Sequence, residues 1–269
     1  MTVEEIKKTA SGLLSSGKVS MVIGYARGEN EYIHALFATK PEEIEKMIYD
    51  ESCVRNIAVY LNKPEIKSAG RVAIVAGMDV MRTVVMLAAE KQLEGEPPVT
   101  IGITDSGEVK VFETIEELSG FMKDNPLQLT DEEKQKLAEL REMPRDQRWE
   151  YWKREFETCI KCYACRASCP LCYCTRCKVE KNQPQWVQVP AHITGNIEWH
   201  IMRAMHLAGR CINCGECRRS CPMDIPLNML TKQLILDIEE NFGSTPGMSH
   251  EDPSVLSTYK PEDKENFIR

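Results

Sequence analysis

Two segments of the chain repeat one spacing, Cys159-x2-Cys162-x2-Cys165-x3-Cys169-Pro170 and Cys211-x2-Cys214-x2-Cys217-x3-Cys221-Pro222. Three thiols at i, i+3 and i+6 on a tight loop can reach three corners of one cubane, and the chain that leaves them heads towards a second. This is the run that ligates 4Fe-4S clusters in bacterial two-cluster ferredoxins, where the fourth cysteine serves the other cluster. The spacing therefore assigns one 4Fe-4S cluster to Cys159, Cys162, Cys165 and Cys221, and another to Cys211, Cys214, Cys217 and Cys169. Structural zinc uses two separated pairs and leaves four-cysteine runs ending in proline unexplained.

Twelve cysteines are present, so four remain. Cys172, Cys174 and Cys177 lie between the runs as C-x-C-x2-C, a three-point ligand set lacking one member. Cys53 is the remaining thiol and the candidate fourth ligand of a third site, for another 4Fe-4S cluster or for zinc. His192, in PAHITG, is an alternative. Against ligation, a lone cysteine in YDESCVRNIAVYL is more often a small buried hydrophobe. Gly215 in the second run, where the first has Tyr163, lets the backbone approach its cluster and frees amides to donate to sulfur.

At 269 residues the chain is long enough for two domains, and a net charge of −7 leaves no electrostatic footprint for nucleic acid. MTVEEIKKTASGLL places two glutamates before any apolar run, unlike a signal peptide, and the longest apolar candidate, Val72 to Ala89, is broken by Asp79 and Arg82. A cytoplasmic protein without direct membrane insertion is expected. In that reducing compartment the thiols read as metal ligands, not as a disulfide framework.

Residues 1–124 read as an α/β scaffold domain with a mainly parallel sheet and flanking helices. Thr2-x-x-Glu5 opens a helix through Leu14; Val19 to Gly24 and Ile33 to Thr39 are strands; Thr39-x-x-Glu42 opens a helix carrying Ile44, Met47 and Ile48. Arg71 to Ala76 is a strand, Asp79 to Leu93 a helix, Val99 to Thr104 a strand, and Thr114-x-x-Glu117 caps one more helix. Residues 125–158 form a helical linker, capped at Thr130-x-x-Glu133 and broken at Pro144, with Trp149, Trp152 and Phe156 on one packing face. Residues 159–227 are a bacterial dicluster ferredoxin-like module (α+β), in which 196–210 forms an amphipathic helix packing through Ile197, Ile201, Ala204, Met205 and Ala208. Residues 228–269 are a helix and a polar, proline-rich tail expected to drape over a partner or stay mobile.

CIKCYACRASCPLCYCTRC, PQWV at 184–187, RAMHLAGRCINCGECRRSCPMDIPL at 203–227 and DESCVRNIAVYL at 50–61 together resemble the dicluster iron-sulfur subunits that accompany hydrogenase, formate dehydrogenase and heterodisulfide-reductase-like modules in anaerobes. These are similar to the beta-subunit superfamily of deazaflavin-coenzyme hydrogenases and dehydrogenases. The resemblance implies an electron-transfer subunit that relays single electrons between redox subunits of an oxidoreductase complex, its partners being flavin-, hydrogenase-, formate-dehydrogenase- or heterodisulfide-reductase-like. Two thiols of that pattern are missing: the loop after the third strand reads Gly77-Met78-Asp79-Val80-Met81-Arg82 instead of Gly-Cys-Asp-Ser-Arg, and the next strand ends Gly102-Ile103-Thr104 instead of Gly-Val-Pro-Cys. Their loss, with no G-x-G-x-x-G after a strand, argues against bound flavin and for a scaffold role. The alternative is a flavin-containing subunit whose N-terminal domain binds FAD or FMN and uses the clusters as a wire. No residue offers a convincing general base, nucleophile or substrate pocket.

Overall fold

The structure, a computed structural model, describes residues 2–181 and 183–256. The N-terminal half alternates helices and strands: α1 (Thr2–Ser15), β1 (Met21–Arg27), β2 (Ile33–Ala38), a 3-10 turn (Pro41–Lys46), β3 (Met47–Ile48), a second 3-10 turn (Ile57–Tyr60), α2 (Pro64–Lys67), β4 (Val72–Ala76), α3 (Met78–Ala89), β5 (Val99–Ile103), β6 (Val109–Phe112) and α4 (Ile115–Lys123). The sheet runs β2-β1-β4-β5-β6, with β3 beside β1.

The sheet is mixed, which corrects the mainly parallel expectation. β1 with β4 and β4 with β5 are parallel; β1 with β2, β1 with β3 and β5 with β6 are antiparallel. Two strands account for the difference. Met47 and Ile48, expected in a helix, are a short strand pairing with Ala26 and Tyr25, because the helical turn after Pro41 stops at Lys46. β6 was not anticipated: Gly107, at φ 81°, turns the chain so that Val109–Phe112 pairs back onto β5 as a hairpin. β4 and β5 are buried at every position, as parallel central strands are. α1, through Ile6, Ala10 and Leu13, and α3, through Val80, Val84 and Leu87, share their core.

Smaller differences concern caps. Thr2 is already helical and its hydroxyl donates to the Gly107 carbonyl at 3.1 Å, so no capping box forms there. At the second expected box the partner is Glu43 rather than Glu42, accepting from the Thr39 and Lys40 amides at 2.7 and 3.2 Å. Thr114–Glu117 and Thr130–Glu133 form as expected.

α5 (Asp131–Glu142) and α6 (Arg145–Glu157) follow, then α7 (Ala164–Ala167), α8 (Lys178–Lys181), α9 (Ile193–Met205), α10 (Glu216–Arg219) and α11 (Leu227–Phe242), which ends at a left-handed Gly243. Between 159 and 227 no strand occurs among the described residues, so the module is helical where an α+β ferredoxin was expected. The long α9 separates the two cysteine runs. On α6, Phe156 is buried but Trp149 is half exposed, so the packing face is Trp152–Phe156 alone.

The described tail, 243–256, packs on its own chain. Gly247 lies against Arg82 and Ile212, and Ser119 Oγ meets His250 Nδ1 at 2.9 Å. The rest of the expected tail, 257–269, lies outside the described residues.

Candidate metal centre

Each cysteine run is held by the same backbone device. Lys161 and Tyr163 in the first run, and Asn213 and Gly215 at the equivalent places in the second, all take left-handed φ (51°, 59°, 60° and 74°). Alternating left-handed residues fold the loop tightly enough to turn its amides inward: Lys161 N–H donates to Cys159 Sγ at 3.4 Å, and the Asn213 amide does the same for Cys211. A one-turn helix follows each loop, α7 and α10, and carries the third cysteine, Cys165 or Cys217, into a buried position. Tyr163 adopts this backbone without being glycine, so Gly215 is not the special case that its composition implied.

The two runs are related as a local pair. Ser168 and Ser220, each just before the fourth cysteine, meet hydroxyl to hydroxyl at 2.8 Å. Contact between equivalent residues is what an approximate two-fold demands. The electrostatic neighbours are mixed: Cys159 lies in the field of Cys221 and Cys162, Cys211 in that of Cys217 and Cys169, Cys214 in that of Cys169 and Cys211, and Cys165 in that of Cys217 ahead of Cys159.

α9 forms the wall of this site with a face that only partly matches the apolar stripe of the sequence: Ala204 and Ala208 are buried and Ile197 packs on the core, but polar residues share the inner side. Its buried residues are Gly195, Asn196, Trp199, His200, Arg203 and Ala204, while Ile201 and Met205 are exposed. Asn196 Nδ2 donates to the carbonyls of Phe156 and Cys159, both at 2.9 Å, fixing the end of α6 to the first ligand position. Trp199 packs edge-on to Tyr163 at 4.8 Å between centroids, and the Cys165 sulfur accepts a hydrogen bond from it. His200 stacks on Phe156 at 4.6 Å. Arg203 Nη2 donates to the Cys165 carbonyl at 3.0 Å.

Burial pushes the Cys165 and Cys211 thiols up to about 11, and Cys214 and Cys217 also rise. Sulfurs so deeply placed remain protonated unless positive charge joins them. Arg203 and the inward amides supply part of that charge, and a metal supplies the remainder on coordination. The soft, all-thiol donor set, the amides aimed at sulfur and a buried guanidinium whose Nε has no partner fit an anionic iron-sulfur group.

Cys172, Cys174 and Cys177 line one small cavity of about 50 Å³ with Arg166, Arg203, His206 and Arg210. Cys172 also donates to Cys169, which holds the Cys169 thiol down and raises that of Cys172. Neither candidate for the fourth place is there. Cys53 lies in the N-terminal domain, its sulfur accepting from the Asp50 amide at 3.5 Å, beside Tyr25 and Tyr49. His192 begins α9, with a buried Nε2 that has no partner. Among the described residues no three His, Cys, Asp or Glu side chains converge as they do around a single ion. Sequence reasoning missed Asn196, Arg203 and His206. The available signal was polar residues recurring at 196, 200 and 203, a helical stripe interrupting the apolar one.

This chain is an iron-sulfur protein. Residues 171–226 match the family described as the 4Fe-4S dicluster domain, a span that takes in the triplet and the second run. Two curated relatives are similar over part of the chain: the F420-dependent formate dehydrogenase subunit beta of Methanocaldococcus jannaschii, 38% identical over 109 residues (40% of this chain, 28% of the relative), and the F420-dependent formate dehydrogenase 1 subunit beta of Methanococcus maripaludis, 29% identical over 107 residues (40% and 27%). The chain thus spans little more than a quarter of the length of the relatives it matches.

Proposed function

We propose that this protein is an electron-relay subunit carrying two 4Fe-4S clusters, one held by Cys159, Cys162, Cys165 and Cys221 and the other by Cys169, Cys211, Cys214 and Cys217. The meeting of the two cysteine runs at the Ser168–Ser220 contact is the observation that supports this reading, and Cys221 beside Cys159 and Cys169 beside Cys214 favour the crossed assignment. Such clusters each take up and release one electron. The chain's own residues place the thiols, exclude water from Cys165 and Cys217, and turn amides and one guanidinium towards sulfur. Residues 1–124 act as scaffold, 125–158 as linker and 159–227 as the electron-carrying module; of 228–269, the described part closes it as a helix and strap.

By likeness to the formate dehydrogenase beta subunits, the partners are other subunits of a formate-dehydrogenase-like oxidoreductase in the cytoplasm, between which single electrons pass. No helix among the described residues is long and apolar enough to cross a membrane. The triplet Cys172, Cys174 and Cys177 is proposed as a third metal site, with His206 rather than Cys53 beside it.

The test is iron, acid-labile sulfide and flavin per chain in protein purified without oxygen. About eight irons and eight sulfides support two clusters, about twelve add the triplet, and about four or fewer sink the reading. Stoichiometric flavin would move the chain from relay to flavoenzyme.

A further inference from the structure

α9 places one guanidinium where both sets of thiols can feel it. Arg203 is only 6% exposed, its Nη2 donates to the Cys165 carbonyl, and its Nε is buried without a partner. Neighbouring arginines have carboxylates: Arg166 pairs with Glu180, Arg210 with Glu90 and Arg219 with Glu216. Arg203 has none among the described residues. The sulfur-bearing side chains around it are Cys217, Cys169, Cys165 and Cys172, and Cys217 takes a hydrogen bond from it. One of these belongs to the first proposed cluster, two to the second, and Cys172 to the triplet.

A cation this deep is expensive to bury unless anionic charge accompanies it. Neutral thiols do not supply that charge. Thiolates bound to iron do, and they retain it in both oxidation states. The guanidinium remains protonated throughout, so it acts as a fixed charge. Reduction adds one electron, and no proton, to a site that is already negative. A fixed cation nearby, in a medium of low dielectric, therefore stabilises the reduced form more than the oxidised one.

We propose that Arg203 is the shared counter-charge of the two iron-sulfur sites, raising the reduction potential of both and coupling them through one side chain. The proposal rests on the two-cluster reading above. Arg203 is a positioning and tuning residue; it holds no metal and makes no bond to one. It also explains why α9 turns a polar face inward and leaves Ile201 and Met205 outside.

The experiment is a stepwise dithionite reduction of the iron-loaded protein, with mediator dyes and electron paramagnetic resonance following both clusters, for the parent, Arg203→Gln and Arg203→Lys. Arg203→Gln should lower the reduced-to-oxidised ratio of both clusters about tenfold at the parental midpoints, which is ~59 mV for one electron. Arg203→Lys, which keeps the charge but not the fork, should stay within about threefold of the parent. A shift in only one cluster, no shift with Gln, or an equal shift with Lys overturns the proposal. If Arg203→Gln fails to hold iron, Arg203→Lys decides: loaded clusters near parental midpoints sustain the assignment, and lowered ones end it. Iron content separates the two levels. A parent with about four irons or fewer sinks the two-cluster reading and this inference with it, whereas about eight irons with an unshifted Gln variant sinks the inference alone.

Discussion

Arg210 and Glu90 stand 120 positions apart in sequence and meet through two charged contacts, Nη2 to Oε2 at 2.8 Å and Nε to Oε1. Glu90 closes α3 on the sheet domain, and Arg210 immediately precedes Cys211. The same guanidinium donates to the carbonyls of His206 at 2.8 Å and Leu171 at 3.1 Å. One side chain thus ties the sheet, the end of α9, the insertion and the second run. Apolar packing follows the same seam, with Leu171, Leu207 and Ile212 sharing the core of β4 and α3. The second set of thiols is consequently seated against the sheet domain.

Glu90→Gln should loosen that seam. The pair is largely buried, so losing the carboxylate charge should cost about 2 kcal/mol of stability. Thermal unfolding of the iron-loaded protein measures the cost, and faster proteolytic cleavage near residues 91–97 would locate it. A variant as stable as its parent would mean that apolar packing alone holds the seam.

Burial, followed by the charges of Arg203 and Lys161, holds His200 down to about 3, and neither ring nitrogen has a partner. The unfolded chain titrates near 6.5. Because the folded value is depressed, His200 contributes stability that is fully present above about pH 6.5 and is lost as pH falls towards 3. At pH 5.5 the loss should be about 1 kcal/mol relative to neutral pH. His200→Phe keeps the stack on Phe156 and removes the titration, so its unfolding temperature should match or exceed the parent's at pH 7.5 and exceed it further at pH 5.5. Parallel pH curves for the two proteins would contradict this.

Lys232 on α11 and Glu133 on α5 form an ion pair in which the lysine side chain is 6% exposed. Glu133 also accepts from the Thr130 amide at 2.9 Å as part of its capping box. Lys232→Met should leave that carboxylate without its cation and destabilise the protein by about 2–3 kcal/mol. In Lys232→Met/Glu133→Gln much of the cost should return, because no charge is left unpaired. Denaturant midpoints at neutral pH give both numbers.

What the sequence made legible follows the range of the interactions. The cysteine runs and the boxes at Thr114 and Thr130 are short-range devices, in which the residues that meet lie within a few positions, so spacing alone reveals them. The sheet was harder, because whether Met47 and Ile48 form helix or strand depends on a free edge of β1 beside β4, and β6 exists only because β5 has an open side. α9 was misread for a different reason. Amphipathic patterning assumes an apolar interior, but this helix faces a thiol-lined site, so Asn196, His200 and Arg203 turn inward beside Ala204 while Ile201 and Met205 turn out.

Cys53 provides a clean test of the third site. Its thiol is pushed up by burial and lies against Asp50 and the Ile48 carbonyl. Cys53→Ser should leave the iron and zinc content unchanged. If the triplet binds metal, His206→Ala and Cys174→Ser should each lower that content; a drop in Cys53→Ser instead would restore Cys53 as the fourth ligand.

The crossed ligation can be tested by counting iron in pairs of substitutions. If Cys221 belongs with Cys159, removing both should cost no more than removing either, because each loss strikes the same cluster; Cys159→Ser/Cys221→Ser should retain about four of the eight irons assigned to the two runs. Cys159→Ser/Cys169→Ser strikes both clusters and should retain almost none of them. Uncrossed ligation exchanges these outcomes, since Cys159 and Cys169 would then share a cluster. Non-additivity is the readout, as in any double-mutant cycle, and it survives partial loading in the single variants because the comparison is between pairs. The Ser168–Ser220 contact makes the crossed result the expected one: the two runs face each other at that point, immediately before Cys169 and Cys221, and Cys159 has Cys221 among its neighbours as Cys214 has Cys169.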